Sequence, residues 1–390
     1  MTFKKDGPVL EHRQLFVLAL VHFTADMMGN FLPSIMPAVQ DFFKISLMMG
    51  TGILFAYYFV HNGLQVFIGH LRQDKNRPLF LPIGICLCGA LCFISILTGI
   101  RFAYPLILIG AVIGASGIAM MHTEGLRALH SLTALPPSVS TAYFMCGGFL
   151  GAAFGQWASA LLVEKQGLKG LLWLLPLPVI VLVLFRIFRI RLAVDDGRNE
   201  NNNGDEERYP FVQVFSMALV SAVGAFMLLW FVPQRLNELG FSLGFGGFSL
   251  MMFTLASAAG SFYWGRLAHR KGHLSCTLYA LSVNLPLIIL YLALIDKAWA
   301  VVFISVIGFF GAGAYVVMVT MARQAVGLKI GQRMGLLVGG TWAVAGAVAL
   351  VVAKFLNSAM LLNLSPVCYI ISLIIGLWIY GKNKKRSFAV

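Results

Sequence analysis

Twelve apolar runs of about twenty residues divide this chain, and no packing in water could bury them all. They lie near residues 15–40, 47–70, 78–99, 102–126, 138–162 and 168–190, then 211–236, 243–265, 274–295, 299–323, 333–355 and 359–381. A helix needs about 20 apolar residues to cross roughly 30 Å of hydrocarbon, and each run meets that length. Hydrophobic residues make up 59% of the chain and charged residues 11%, against about 25% charged in an ordinary soluble domain. The expected fold is an all-α membrane protein with twelve transmembrane helices.

The substantial hydrophilic interruption runs over 191–208 and carries Asp195, Asp196, Asn201, Asn202, Asn203, Asp205, Glu206 and Glu207. Such a stretch cannot bury enough apolar surface to order itself. It reads as a cytoplasmic linker over 191–209, between a six-helix bundle at 1–190 and a second at 210–390. The halves echo each other. Gly69 corresponds to Gly265 at an offset of 196, and Gly147-Gly148 to Gly339-Gly340 at an offset of 192. Two pseudo-symmetric bundles from a duplicated half are expected.

The formal charge of +14 would suggest nucleic acid as a partner if the basic residues formed one patch. Here they punctuate the apolar runs, so no nucleic-acid partner is expected. With the N-terminus in the cytoplasm, the outer side keeps Lys44, Arg101, Lys165, Lys169, Arg235, Lys297 and Lys354, and the other 22 of 29 Lys and Arg fall inside. That asymmetry follows the positive-inside rule and puts both termini in the cytoplasm of a bacterial inner membrane. The N-terminal run holds His22 and Asp26 without a small-residue cleavage site, so it reads as a span and not a signal peptide. The six cysteines lie in or beside apolar runs at spacings poor for disulfides or a closed metal site; no metal or cofactor is expected.

An ionisable group at mid-bilayer costs at least about 2.5–3.5 kcal/mol on insertion scales, so such groups mark function first. His22 and Asp26 lie four apart on one face of the first span, with Asp26 about 16 Å from its cytoplasmic start. His61 in the second span has similar depth. The fourth span ends in Met121-His122-Thr123-Glu124-Gly125-Leu126-Arg127, placing His122, Glu124 and Arg127 toward the cytoplasmic side. Asp26 reads as a proton-accepting carboxylate, with His22 or His61 as relay or substrate contact; Glu124 and Arg127 read as a gate pair or a substrate site. The bland alternative is a static Asp26–His22 clamp between helices. Pro33 and Pro37 interrupt the outer part of the first span, as a hinge, a cavity lining or a simple kink. Gly147, Gly148, Gly151 and Gly155 in the fifth span are expected to pack helices closely.

His22-Phe23-Thr24-Ala25-Asp26 followed by Leu32-Pro33-Ser34-Ile35-Met36-Pro37 resembles the first-helix signature of the fosmidomycin resistance branch of the major facilitator superfamily. Gln65-Val66-Phe67-Ile68-Gly69 leading to Leu81-Pro82-Ile83-Gly84 resembles it too, and His122-Thr123-Glu124-Gly125-Leu126-Arg127 is similar to its His-Pro-Glu-x-x-Arg run, with Thr123 for proline. The resemblance implies a proton-coupled exporter of small drugs or metabolites in which Asp26, Glu124 and Arg127 handle protons and substrate. It also marks the gate loops. After Gly69, the superfamily's acid position holds Gln73, between Arg72 and Asp74. After Gly265, His269 stands where aspartate is expected, followed by Arg270. A gate lacking that carboxylate would be looser, or pH-sensitive through histidine. The fifth span reads Gly151-Ala152-Ala153-Phe154-Gly155-Gln156, keeping the glycines of the antiporter pattern Gly-x-x-x-Gly-Pro and losing its proline.

No nucleotide-binding loop is present, so a secondary transporter is expected. It would move a small-molecule substrate with protons as partner, in the lipid bilayer, as a monomer, and outward in preference to inward. The alternative is proton-driven uptake of an anionic metabolite or a metal-chelating compound, which Arg127 would suit. A transporter-derived receptor or scaffold is more distant. An intramembrane enzyme built on His122 and Glu124 is disfavoured, because the spacing is not that of a His-Glu-x-x-His helix.

Overall fold

In hydrocarbon every backbone N–H and C=O must find a partner within the protein, and a helix meets that demand within one segment. The computed structural model accordingly is almost wholly helical. It describes residues 8–72, 77–129, 131–132, 137–188, 190, 209–326, 328, 333 and 335–387. The first span is two helices, α1 (Pro8–Asn30) and α2 (Leu32–Phe43), followed by α3 (Leu47–Arg72). The third is α4 (Phe80–Leu87) continued by a 3-10 segment, Ala90–Leu97. Next come α5 (Ala103–Leu129), α6 (Pro137–Gln166), a 3-10 segment Gly167–Leu174 and α7 (Pro176–Phe188).

After Tyr209 come α8 (Phe211–Glu238), α9 (Leu243–Lys271), α10 (His273–Ala293) and α11 (Val301–Gln324). The eleventh expected span combines a π-helix, Gly335–Gly340, with α12 (Thr341–Val352), and α13 (Ser358–Ser387) closes the chain. Among the described residues, nine helical stretches are long and apolar enough to cross a membrane. One of them, Tyr143–Phe188, is 46 residues long and contains most of α6 and all of α7.

The chain divides into two compact units. One is Met1–Phe43 with Ala56–Asn201, and the other is Lys44–Phe55 with Asn202–Val390. The expected linker over 191–209 lies outside the described residues except for Tyr209.

Close helix approach organises the first unit. Gly147, Gly151 and Gly155 recur every four residues on α6 and meet Ala19, Phe23 and Met27, spaced the same way on α1. A Cβ added to them would stand 2.3, 2.0 and 2.3 Å from the carbonyl oxygens of those three residues. Only glycine lets the two backbones come so near. In the second unit α9 and α11 approach through Gly260 and Gly308, whose added Cβ atoms would stand 2.1 Å from Phe309 O and 2.3 Å from Phe253 O. The glycine pair that matches Gly147-Gly148 by offset behaves differently. Gly339-Gly340 ends the π-helix, and a Cβ at Gly340 would meet only Leu336 of its own segment within 4 Å.

Candidate proton site in the first unit

Pro33 and Pro37 shape the helix that carries the site. Neither donates a backbone N–H, and each ring crowds the preceding turn. The span bends at Phe31 and resumes as α2, with Ser34 N–H donating to Phe31 O at 3.1 Å. Pro33 and Pro37 are themselves buried. Asp26 lies just over one turn before the bend. The Asn30 side-chain amide donates to its backbone carbonyl at 3.0 Å, covering polar backbone beside the break.

Four elements build the cluster around Asp26. His22, one turn earlier on α1, places Nε2 3.2 Å from Asp26 Oδ2. His122 on α5 places Nε2 3.0 Å from the other oxygen, Oδ1. Its Nδ1 lies 3.1 Å from Nε2 of His61 on α3. At the other end, His22 Nδ1 stands 2.8 Å from the backbone carbonyl of Phe144 on α6. The result is one continuous chain of contacts: Phe144 O, His22, Asp26, His122, His61. The rings are locked from the side as well. His22 stacks on Phe144 at 4.1 Å between centroids, and His61 stacks on His122 at 5.1 Å.

The α6 backbone seals one side of this chain. A Cβ at Gly148 would lie 2.5 Å from both Asp26 Oδ2 and His22 Cε1, so the pair occupies the room a side chain would take. The opposite side is not closed. The Asp26 side chain keeps 20% of its surface exposed and that of His122 15%, whereas His22 keeps 8%. From α3, Tyr57 donates its hydroxyl to Met28 O at 2.5 Å, and Tyr58 packs against His61 with ring centroids 6.5 Å apart.

Chemistry assigns the protons in these contacts. A carbonyl only accepts, so His22 Nδ1 carries hydrogen. The contacts His22–Asp26, Asp26–His122 and His122–His61 each need one more. Four contacts therefore need four protons, while three neutral imidazoles and a carboxylate carry three. The fully bonded arrangement holds one extra proton, shared between His22 Nε2 and Asp26 Oδ2, and its net charge is zero. Nδ1 of His61 is left at the end of the chain, buried and without a hydrogen-bond partner.

His22, Asp26 and His122 also offer three ligand atoms within 4.8 Å of one another, the spacing a divalent metal would require. Each nitrogen, however, engages a different carboxylate oxygen at hydrogen-bond distance. The same contacts can share protons.

Glu124 is wholly buried and accepts the backbone N–H of Leu81 in the first turn of α4 at 2.8 Å. It thereby satisfies one of the donors a helix start leaves open. Arg127 is half-buried three residues further on. Thr123 bonds back to Ala119 O at 2.9 Å and across to Gln65 O on α3 at 3.4 Å. Of the gate positions, Gly69 and Arg72 lie at the C-terminal end of α3, and Asp74 falls outside the described residues. Gly265, His269 and Arg270 are exposed. The segment expected as a loop is helical through Lys271, so the turn reduces to Gly272, with φ 88°. His269, Arg270 and Lys271 form the last turn of α9, where positive charge complements the helix dipole.

One contributor escaped the reading of side-chain types, and the other was expected only to pack helices. The Phe144 carbonyl is backbone, and the role of Gly148 is an absence of side chain. A signal for both existed in the spacing. Positions 144, 148, 151 and 155 share one face of α6 at intervals of three and four, the face expected to meet another helix.

The family model for the Major Facilitator Superfamily matches residues 16–350. The fosmidomycin resistance protein of Escherichia coli (strain K12) is 21% identical over 387 residues, covering 96% of this chain and 93% of that protein. The uncharacterized MFS-type transporter YfnC of Bacillus subtilis (strain 168) is 23% identical over 371 residues, covering 90% and 88%. Among solved structures, a bacterial homolog of the human lysosomal transporter Spinster, inward-facing and unoccupied, superposes with a TM-score of 0.70 at 13% identity. That match covers 96% of this chain and 97% of the other. A mutant of the nucleoside transporter NupG also reaches 0.70, at 12% identity and 95% and 100% coverage.

Proposed function

The chain belongs to the Major Facilitator Superfamily, and on that premise we propose that it exports a small organic solute in exchange for protons, with Asp26 as the proton carrier. Membership makes it a multi-pass membrane transporter of a small molecule, not an enzyme. The finer reading rests above all on one observation: a carboxylate inside a membrane-spanning helix holds a histidine at each of its two oxygens. Such a group is costly to place in hydrocarbon, and its contacts are complete only when one proton beyond the neutral imidazoles is present.

Outward movement is favoured by similarity to a protein named for fosmidomycin resistance. The bias of Lys and Arg supports cytoplasmic termini in the inner membrane. Alternating access would expose the site to each side of the membrane in turn, with Gly265, His269 and Arg270 at the C-terminal end of α9 contributing to the gate. Near-contact of α6 with Asp26 and His22 at Gly148 couples the site's protonation to α1–α6 packing.

The test is a panel of candidate solutes in vesicles carrying the purified chain, with proton gradients of either sign. Accumulation that follows the gradient, against proton flow, supports coupled exchange. Solute movement indifferent to gradient sign and size would end this reading.

A further inference from the structure

We infer that His22, Asp26 and His122 form a binding site for a divalent transition metal, Zn²⁺ by the chemistry of the donors, and that the bound ion clamps α1 to α5. Each residue offers one ligand atom, and the three atoms lie within 4.8 Å of one another. Among the described residues this is the one group of three His, Cys, Asp or Glu side chains close enough to share an ion. Zinc holds imidazole nitrogen at about 2.0–2.1 Å and carboxylate oxygen at about 2.0–2.2 Å, so neighbouring ligands of a tetrahedral ion stand about 3.3 Å apart. The two nitrogen–oxygen separations here, 3.2 and 3.0 Å, are already near that value. The expectation of no metal rested on cysteine spacing, and no cysteine enters this set.

The outer partners that a metal-bound histidine requires are present on both rings. A histidine that ligates through Nε2 carries hydrogen on Nδ1 and is held there by an acceptor. For His22 that acceptor is the Phe144 carbonyl, 2.8 Å from Nδ1. For His122 it is Nε2 of His61, 3.1 Å from Nδ1, with His122 as the donor in the metal-bound tautomer. Stacking on Phe144 and on His61 fixes the two ring planes. Both ligating nitrogens thus face Asp26 from rings already held in place. Two imidazoles and one carboxylate select a borderline cation such as Zn²⁺ over Mg²⁺ or Ca²⁺, which prefer oxygen. Three protein ligands leave a fourth position open, on the side where Asp26 keeps 20% and His122 15% of its side chain exposed. Water or a small anion completes the shell there. The ion bonds to both helices at once, so α1 and α5 can no longer separate at this depth. Binding of this kind does not depend on Asp26 being the proton carrier.

The experiment titrates Zn²⁺ into the purified full-length protein in detergent against a chromophoric chelator, with Mg²⁺ as the comparison ion. The expected result is one Zn²⁺ per chain, with binding unchanged in His12→Gln, whose imidazole is exposed near the start of α1. His61→Leu, which removes only an outer partner, should weaken binding about 10–100-fold, and His22→Gln and His122→Gln should weaken it further. Zn²⁺ should also raise the melting temperature of the parent, and raise it less in Asp26→Asn, the ligand variant expected to fold. A histidine variant that fails to fold therefore does not decide the matter. No saturable Zn²⁺ binding at micromolar free metal, binding equal to the parent's in both folded histidine variants, or Mg²⁺ bound as tightly as Zn²⁺ would overturn the site. Amide hydrogen exchange in α1 and α5 should slow on adding Zn²⁺, and exchange unchanged with Zn²⁺ bound would overturn the clamp.

Discussion

Replacing Asp26 by asparagine should leave the fold intact and abolish coupling, because the amide closes every contact without a titratable proton. The new side chain would offer its oxygen to His122 Nε2–H, where Asp26 Oδ1 now sits at 3.0 Å, and its NH₂ group to His22 Nε2, where Oδ2 now sits at 3.2 Å. The three imidazoles then stay neutral, with His22 Nδ1–H on the Phe144 carbonyl and His61 Nε2–H on His122. Hydrogen bonds to a charged partner, worth about 1.5–3 kcal/mol, become neutral ones of about 0.5–1.5. The lost strength is offset by the desolvation no longer required, so the net change in stability should stay within about 1 kcal/mol. Asp26→Ala, by contrast, strands the His122 donor in a buried site at about 1–3 kcal/mol. In vesicles with one pH unit across the membrane, exchange of one proton supports about a tenfold solute ratio, equivalent to about 1.4 kcal/mol. Asp26→Asn should reduce that ratio to the level of protein-free vesicles, while its melting temperature in detergent stays near the parent's and above that of Asp26→Ala. A tenfold ratio retained by Asp26→Asn, or an asparagine variant as unstable as the alanine one, would refute the proton count.

Two further substitutions probe the scaffold around the site. Gly151→Ala puts a Cβ 2.0 Å from Phe23 O and should cost about 1–3 kcal/mol through overpacking, whereas Gly63→Ala, with nothing within 4 Å, should be neutral; thermal melting of both reports the difference. Glu124→Ala strands the buried Leu81 N–H at about 1–3 kcal/mol, while Glu124→Gln keeps an acceptor there and should keep gradient-driven transport. Loss of transport in a stable Glu124→Gln protein would place that residue among the coupling groups.

Most of the membrane spans were legible because the bilayer leaves little choice: where twenty apolar residues run together, a helix usually follows. Asp26 and His22 could be paired from their spacing of four and His61 singled out as a polar group at membrane depth, whereas His122 read as lying toward the cytoplasmic side and in fact reaches Asp26. Their meeting could not be seen, since it depends on how α1, α3 and α5 are rotated about their axes. The glycines of α6 announced a close contact without naming Ala19, Phe23 and Met27 as its other side. The offset between the halves was a weaker guide, for Gly339-Gly340 ends a π-helix where its counterpart packs on α1. Glu124 was expected in the pathway from its position in a polar run. Its bond to the Leu81 N–H involves a backbone group, which no side-chain pattern encodes. The expected loop after Gly265 proved to be helix to Lys271, because Gly272 alone, with its positive φ, makes the turn.

The most direct measurement of the central claim is the equilibrium solute ratio in reconstituted vesicles as the imposed pH difference is varied with the voltage clamped at zero. One shared proton per cycle predicts that the logarithm of the ratio changes by about one for each pH unit. A ratio that does not respond to pH, or a slope near two, would contradict it.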